Sequence, residues 1–186
     1  LSVQIEGFFS DSENRLNRLN QQIESILDSN KQNREAVADI QANPNPVDLK
    51  NRYHVFDGTV YYNENRGDSC AYWYSGTDAM PVVFKKFAFL EQFEPFLKQC
   101  ASGNGIRNHV YIVTIDNILV TYPYNNFRVY IPLDTDLRIL MQQWFLKGDT
   151  RIWTKPYLDV TGIGYVSSYS RMISQNNAPL FHLTID

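Results

Sequence analysis

The sequence contains only two cysteines, Cys70 and Cys100, among 186 residues. Two are too few for a disulfide scaffold, and neither stands in a metal-type pairing. They either bridge, closing a loop worth about 3–4 kcal/mol in the chain-entropy view, or sit apart as small buried hydrophobes. The sequence leaves both readings open. Positive charge is never concentrated: the densest Lys/Arg cluster is Lys85-Lys86, and the formal net charge is −3. This argues against nucleic acid as a partner, because phosphate tracking needs a basic stripe. No run of 18 apolar residues exists, so no segment reads as a transmembrane helix. The chain begins at Leu1 without an initiator Met or a signal peptide, as expected of an excised segment or a processed chain.

Nucleophile and metal motifs are missing as well. There is no G-x-S-x-G elbow, and His54, His109 and His182 have no Ser or Cys partner beside them. Neither H-x-x-x-H nor C-x-x-C occurs, and Asp57, Asp68 and Asp78 lack the spacing of a calcium loop. Gly103-Asn104-Gly105 and Gly162-Ile163-Gly164 lack the Lys of a phosphate loop and read as caps or bulges. No cofactor and no metal are expected. A hydrolase or transferase would need a composite site that the sequence does not offer.

What the sequence does have is aromatic residues, 14 % of the chain, with 12 Tyr and 11 Phe. Tyr brings rigid contact area and a hydroxyl, which suits polar pockets and interfaces, although half-exposed strand faces use it equally well. Residues 1–42 read as one helix of about 60 Å. Ile5, Phe9, Leu16, Leu19, Ile23 and Ile26 form a narrow stripe close to a coiled-coil seam. Such a helix docks on a second copy or acts as a rod; the alternative is two helices joined near Ser29-Asn30. Pro44 and Pro46 end it. Val60-Tyr61-Tyr62 and Ala71-Tyr72-Trp73-Tyr74 read as strands around a polar loop. Residues 82–100 are helical, with Pro95 kinking or splitting the run. Residues 110–124 form a hairpin about the two-residue turn Asp116-Asn117. Residues 134–146 are helical, and strands follow near 151–158, 163–170 and 179–185. The order implies an α+β fold with a mainly antiparallel sheet and helices packed on it.

The last third of the chain gathers the candidate pocket residues: Trp144, Phe145, Trp153, Tyr157, Asp159 and Asp186, with Tyr122 and Tyr130 nearby in the chain. Tyr157 and Asp159 are two apart on an expected strand and project to one face. A carboxylate there holds an ammonium or hydroxyl group by charge-assisted hydrogen bonds. The alternative is that Tyr157 covers the sheet while Asp159 caps the turn into Thr161-Gly162.

These residues resemble the Cache sensor family, extracytoplasmic ligand-binding domains of chemoreceptors, histidine kinases and diguanylate-cyclase proteins. Trp153-Thr154-Lys155-Pro156-Tyr157-Leu158-Asp159 is similar to the family's W-x-x-P-Y-x-D strand, and residues 180–186 to the strand ending in a ligand-facing Asp. The run 134–145 resembles the segment ending in a Trp-Tyr or Trp-Phe pair. The resemblance implies a long N-terminal helix and connector over 1–50 and a PAS-like ligand-binding module over 51–186, with a further module able to follow. It implies that Tyr157, Asp159 and Asp186 grip a ligand's amino group. The subset that binds amino acids places an Arg two residues before the Trp; here that position is Gln142, with Arg138 one turn earlier as the candidate replacement. Gln cannot supply the forked cationic clamp of Arg, so an amine or polyamine stands beside an α-amino acid as candidate ligand.

The resulting expectation is a sensor domain of a membrane-anchored receptor, outside the cytoplasm, binding a small polar metabolite and signalling through the N-terminal helix of a homodimer. The competing expectation is a PAS-like module that binds no ligand and serves only dimerisation or protein interaction.

Overall fold

The computed structural model describes residues 2–32, 53–56, 59–62, 69–74, 76–103, 106–125, 136, 139, 150–159, 164–175 and 178–186. Helix α1 (Ser2–Gln32) has no proline and a single glycine across 31 residues. At 1.5 Å per residue it is about 46 Å long. It runs unbroken through Ser29-Asn30 to Gln32. Residues 33–42 lie outside the described residues. Leu16, Leu19, Ile23 and Leu27 are buried at helical spacing, forming one stripe. That stripe packs into the chain's own core and is therefore not open to a second copy. Each such side chain stabilises the fold by about 1.5–3 kcal/mol relative to exposure.

Polar contacts fix the register of α1. Arg15 Nη1 donates to the Cys100 carbonyl at 2.8 Å, Arg171 Nη1 to Asn17 Oδ1 at 2.6 Å, and Trp153 Nε1 to Glu13 Oε1 at 2.6 Å. Arg15 Nε also lies 2.9 Å from Asp11 Oδ2. Gly103 makes room for this arginine, since a Cβ at that position would stand 2.6 Å from Arg15 Nη1.

The second helical run splits in two. Helix α2 (Met80–Leu90) passes through a 3₁₀ turn (Glu91–Phe93) into α3 (Glu94–Ala101). Pro81 and Pro95 each fall in the first turn of their helix, where a missing N–H goes unnoticed. Cys70 and Cys100 are both buried and form no disulfide with each other, which closes that question in favour of separate thiols. Burial pushes the Cys100 thiol up to about 12.

The strands among the described residues are numbered in chain order. These are β1 (Tyr53–Phe56), β2 (Thr59–Tyr62), β3 (Ala71–Tyr74), β4 (Ser102–Gly103), β5 (Ile106–Arg107) and β6 (Val110–Thr114), then β7 (Ile118–Tyr122), β8 (Arg151–Trp153), β9 (Tyr157–Leu158), β10 (Tyr165–Val166), β11 (Tyr169–Gln175) and β12 (Ala178–Ile185). Six of them form one antiparallel sheet in the order β3-β7-β6-β12-β11-β8. The others pair as small ribbons, β1 with β2, β4 with β5 and β9 with β10. The β6–β7 hairpin differs from the two-residue turn expected. Three residues, Ile115, Asp116 and Asn117, separate the strand ends, and only Asn117 takes positive φ, at 63°. The Asn117 N–H returns to the Thr114 carbonyl at 3.1 Å, a β-turn completed by one left-handed residue.

Register assigns the two faces of the sheet, because paired residues project to the same side and neighbours along a strand to opposite sides. Tyr72, Val120, Ile112 and Leu183 lie in one row across the sheet. They are buried with Leu16, Leu19, Phe87, Leu90 and Leu97 of the helices. The opposite face carries Thr121, Tyr111, Thr184 and Ser170 in one row, and Trp73, Leu119, Val113 and His182 in the next. This face is polar and aromatic, yet Thr121, Thr184 and Ser170 are fully buried. Burial on both faces explains why β7 reads as a continuous apolar run and not as an alternation.

Candidate functional site

The polar face ends in a cluster around Asp186. Asp186 follows Ile185, which points to the helices, so the period of two turns its side chain to the polar face. Its N–H donates to the His109 carbonyl at 2.9 Å, extending the β6–β12 ladder by one rung. Its carboxylate Oδ1 accepts from Ser168 Oγ at 2.5 Å and from the Tyr111 hydroxyl at 3.3 Å. Ser168 Oγ lies 2.6 Å from the Tyr157 hydroxyl. Ser168 is held in turn by Thr154: their main chains bond at 2.9 Å, and Thr154 Oγ1 accepts from the Ser168 N–H at 2.8 Å. Two chain segments, 109–111 and Ser168, therefore bond the acid directly, and a third, 154–157, holds Ser168.

Burial pushes the Asp186 carboxyl up from the ordinary 3.8 to about 6, with the nearby Asp159 charge adding to the shift and the Ser168 and Tyr111 hydrogen bonds opposing it. Burial likewise raises Tyr111 well above its usual value and raises Tyr157, and in both the Asp186 charge adds to the shift. His109 is lowered by burial, against the pull of Asp159. Asp159 is therefore electrostatically close to both Asp186 and His109. Its own N–H donates to the Gly164 carbonyl at 2.8 Å, closing the loop between β9 and β10. A half-buried carboxylate that accepts from two hydroxyls favours a cation; no ion pair to Asp186 is made among the described residues.

Of the residues expected at the site, Tyr157, Asp159 and Asp186 are brought together. Trp153 and Tyr122 are not. Trp153 pairs with Tyr169 one position away from Thr154 and Ser168, so it projects to the helix side. There its ring meets Phe9 edge-on at 4.6 Å and Tyr169 at 5.1 Å. Tyr122 pairs with Val110 and is buried on that same side, with Lys98 Nζ 5.7 Å from its ring centroid. Trp144, Phe145, Arg138 and Gln142 lie outside the described residues, as do Tyr130 and, apart from Asp136 and Ile139, the helix expected over 134–146. Sequence reasoning missed Tyr111, Ser168 and Thr154. Tyr111 is an ordinary strand residue, Thr154 and Ser168 sit just outside the paired ends of β8 and β11, and only strand pairing brings them to the acid.

Surface clefts among the described residues include two on the helix side of the molecule. One of about 210 Å³ runs between α1 and α3, past Arg18, Gln22 and Gln99. The other, of about 390 Å³, lies between α2 and the β6–β7 turn and is lined by Val82, Phe89, Ile115 and Leu180. Neither touches the Asp186 cluster. Among the described residues no three His, Cys, Asp or Glu side chains gather as metal ligands, and no helix is both long and apolar enough to cross a membrane. Compared with family models, curated proteins and solved structures, the chain matches none of them.

Proposed function

We propose that the protein is a PAS-like, Cache-type sensor domain, the extracytoplasmic part of a membrane-anchored receptor, that binds a small polar ligand with a cationic group at Asp186 and Asp159. The single observation that carries the reading is the half-buried Asp186 carboxylate, hydrogen-bonded by hydroxyls from other segments and left without a cation among the described residues. A protein does not usually bury an ionised acid without compensation; an incoming ammonium supplies it. The strand order supports the fold half of the reading. In the series β6, β7, β8, β11, β12 the first and last strands are central neighbours, which puts the acid-bearing end of β12 in mid-sheet.

The route to α1 supports signalling through the N-terminal helix. With its amide turned to satisfy both neighbours, Asn108 accepts from Arg15 Nη2 at 2.6 Å and donates to the main-chain oxygen of Asp186 at 3.3 Å. The residue that holds the ligand is thus one side chain away from the buried arginine of α1. A ligand shifts this arrangement by its differential affinity for two states and by no more. A homodimer contact would use the exposed Phe8 and Phe9 end of α1.

The test is a thermal-shift screen of amines, amino acids and amino amides. A ligand at 100 times its Kd stabilises by about 2.7 kcal/mol, a rise of about 5–11 °C for a domain of this size. Asp186→Ala and Asp159→Ala are expected to abolish that rise. A rise that survives both substitutions refutes the site. No rise with any compound, together with concentration-dependent dimerisation, favours the ligand-free interaction module.

A further inference from the structure

The face that bears Asp186 also holds two buried polar atoms that make no hydrogen bond among the described residues. Trp73 on β3 and Thr121 on β7 are 3 % and 0 % exposed. Neither Trp73 Nε1 nor Thr121 Oγ1 has a hydrogen-bond partner among the described residues. Thr121 stands directly beside Tyr111, whose hydroxyl reaches Asp186. Ala71 pairs with Thr121, so Trp73, two residues on, is its diagonal neighbour on the same face. Such neighbours are about 7–8 Å apart, within reach of an indole. A buried donor left unmade costs about 1–3 kcal/mol. A single guest spanning from Asp186 to these two atoms accounts for the uncompensated acid and both unmade bonds.

Chemistry and spacing define that guest. Indole Nε1–H only donates and the threonine hydroxyl can donate, so both ask for an acceptor. The residues that register places around them, Ala71, Leu119, Tyr111, Val113 and Thr184, are uncharged. An anion buried there would lack compensation. From β12 to β7 is two strand spacings, about 10 Å, and Asp186 lies two residues beyond the row of Thr121, about 7 Å more along the strand. The diagonal is about 12 Å, and subtracting a hydrogen bond of about 3 Å at each end leaves about 6 Å between the guest's two polar atoms.

We propose that Trp73 Nε1 and Thr121 Oγ1 form a subsite for a neutral carbonyl oxygen, so that the ligand is a monocation with its nitrogen at Asp186 and its carbonyl at the far end of a short chain. This rests on Asp186 being the cation site. It selects an ω-amino amide or amino carbonyl compound over a simple amine, a polyamine or an α-amino acid.

Isothermal titration with n-butylamine, 4-aminobutanamide and 4-aminobutanoate tests it. The amide is expected to bind about tenfold tighter than n-butylamine, the value of one or two good hydrogen bonds. Thr121→Val and Trp73→Phe should each remove most of that preference and leave n-butylamine binding unchanged. Thr121→Val deletes a hydroxyl without a partner, so it should melt at or above the wild-type temperature, which separates loss of the subsite from loss of the fold. The proposal is overturned by equal binding of amine and amide, by an amide preference that survives both variants, by tighter binding of the carboxylate, or by no binding of the amide at about 10 mM, far above the Kd of a specific site. If the amide preference is absent but n-butylamine binding is lost in Asp186→Asn, the subsite fails and the cation site stands. If n-butylamine binds Asp186→Asn as well as wild type, the cation site itself fails.

Discussion

Replacing Asp186 by Asn in the unliganded protein isolates the penalty of the half-buried acid. Asn keeps an acceptor oxygen for Ser168 and Tyr111 but cannot ionise. Moving a carboxyl from 3.8 to about 6, at about 1.4 kcal/mol per pH unit, amounts to an upper limit of about 3 kcal/mol. The sign follows from proton binding. The folded protein holds this proton more tightly than the unfolded chain, so the stability it contributes is fully present below about 3.8 and is lost as pH rises through about 6. Wild type and Asp186→Asn should therefore differ least at pH 4 and most at pH 7.5, with the variant the more stable. For a domain of this size the limit corresponds to about 6–12 °C in Tm. The assay is a set of melting curves from pH 4 to 8, read as the difference between the two proteins. Burial also lowers His109 and His182, and this cancels in the difference because both proteins keep them. A difference in Tm that does not change with pH would show that Asp186 is solvated, and the argument for a cation site would fall.

Two further substitutions test the frame around the site. Gly103→Ala places a methyl group 2.6 Å from Arg15 Nη1 and should cost about 1–3 kcal/mol in urea unfolding by dislodging a buried guanidinium from its acceptors; an unchanged midpoint would mean that Arg15 moves freely. Phe87→Ala empties a fully buried position beside Tyr53 and Tyr72 and should cost about 3–5 kcal/mol, with a loss under about 1 kcal/mol contradicting the packing described.

Much of the fold could be read from periodicity. The stripe of α1, the split at Pro95 and the strands flanking Asp116-Asn117 follow from local spacing and turn chemistry. The faces of the sheet were harder to read. β3 and β7 are buried on both sides, so their composition does not say which residues look toward the helices. Trp153 and Tyr157 are four positions apart, which a continuous strand would put on one face, but residues 154–156 interrupt the strand, and pairing with Tyr169 sets the Trp153 ring against Phe9 and Tyr169. Long-range strand pairing likewise brings Ser168 and Tyr111 to Asp186 across 18 and 75 positions of chain. No local pattern encodes such long-range pairing. The hydrophobic stripe was likewise legible while its destination was not: a narrow apolar seam describes a helix facing a second copy as well as one facing its own sheet.

Strand β8 closes one border of the sheet with only three residues, the first of them the exposed Arg151. So brief a border, carrying a positive charge, offers little template for a strand from another molecule. The consequence is colloidal. At the concentrations that titrations demand, the β8 side should resist sheet-to-sheet growth, and lengthening that strand or neutralising its arginine should make the protein more prone to precipitate.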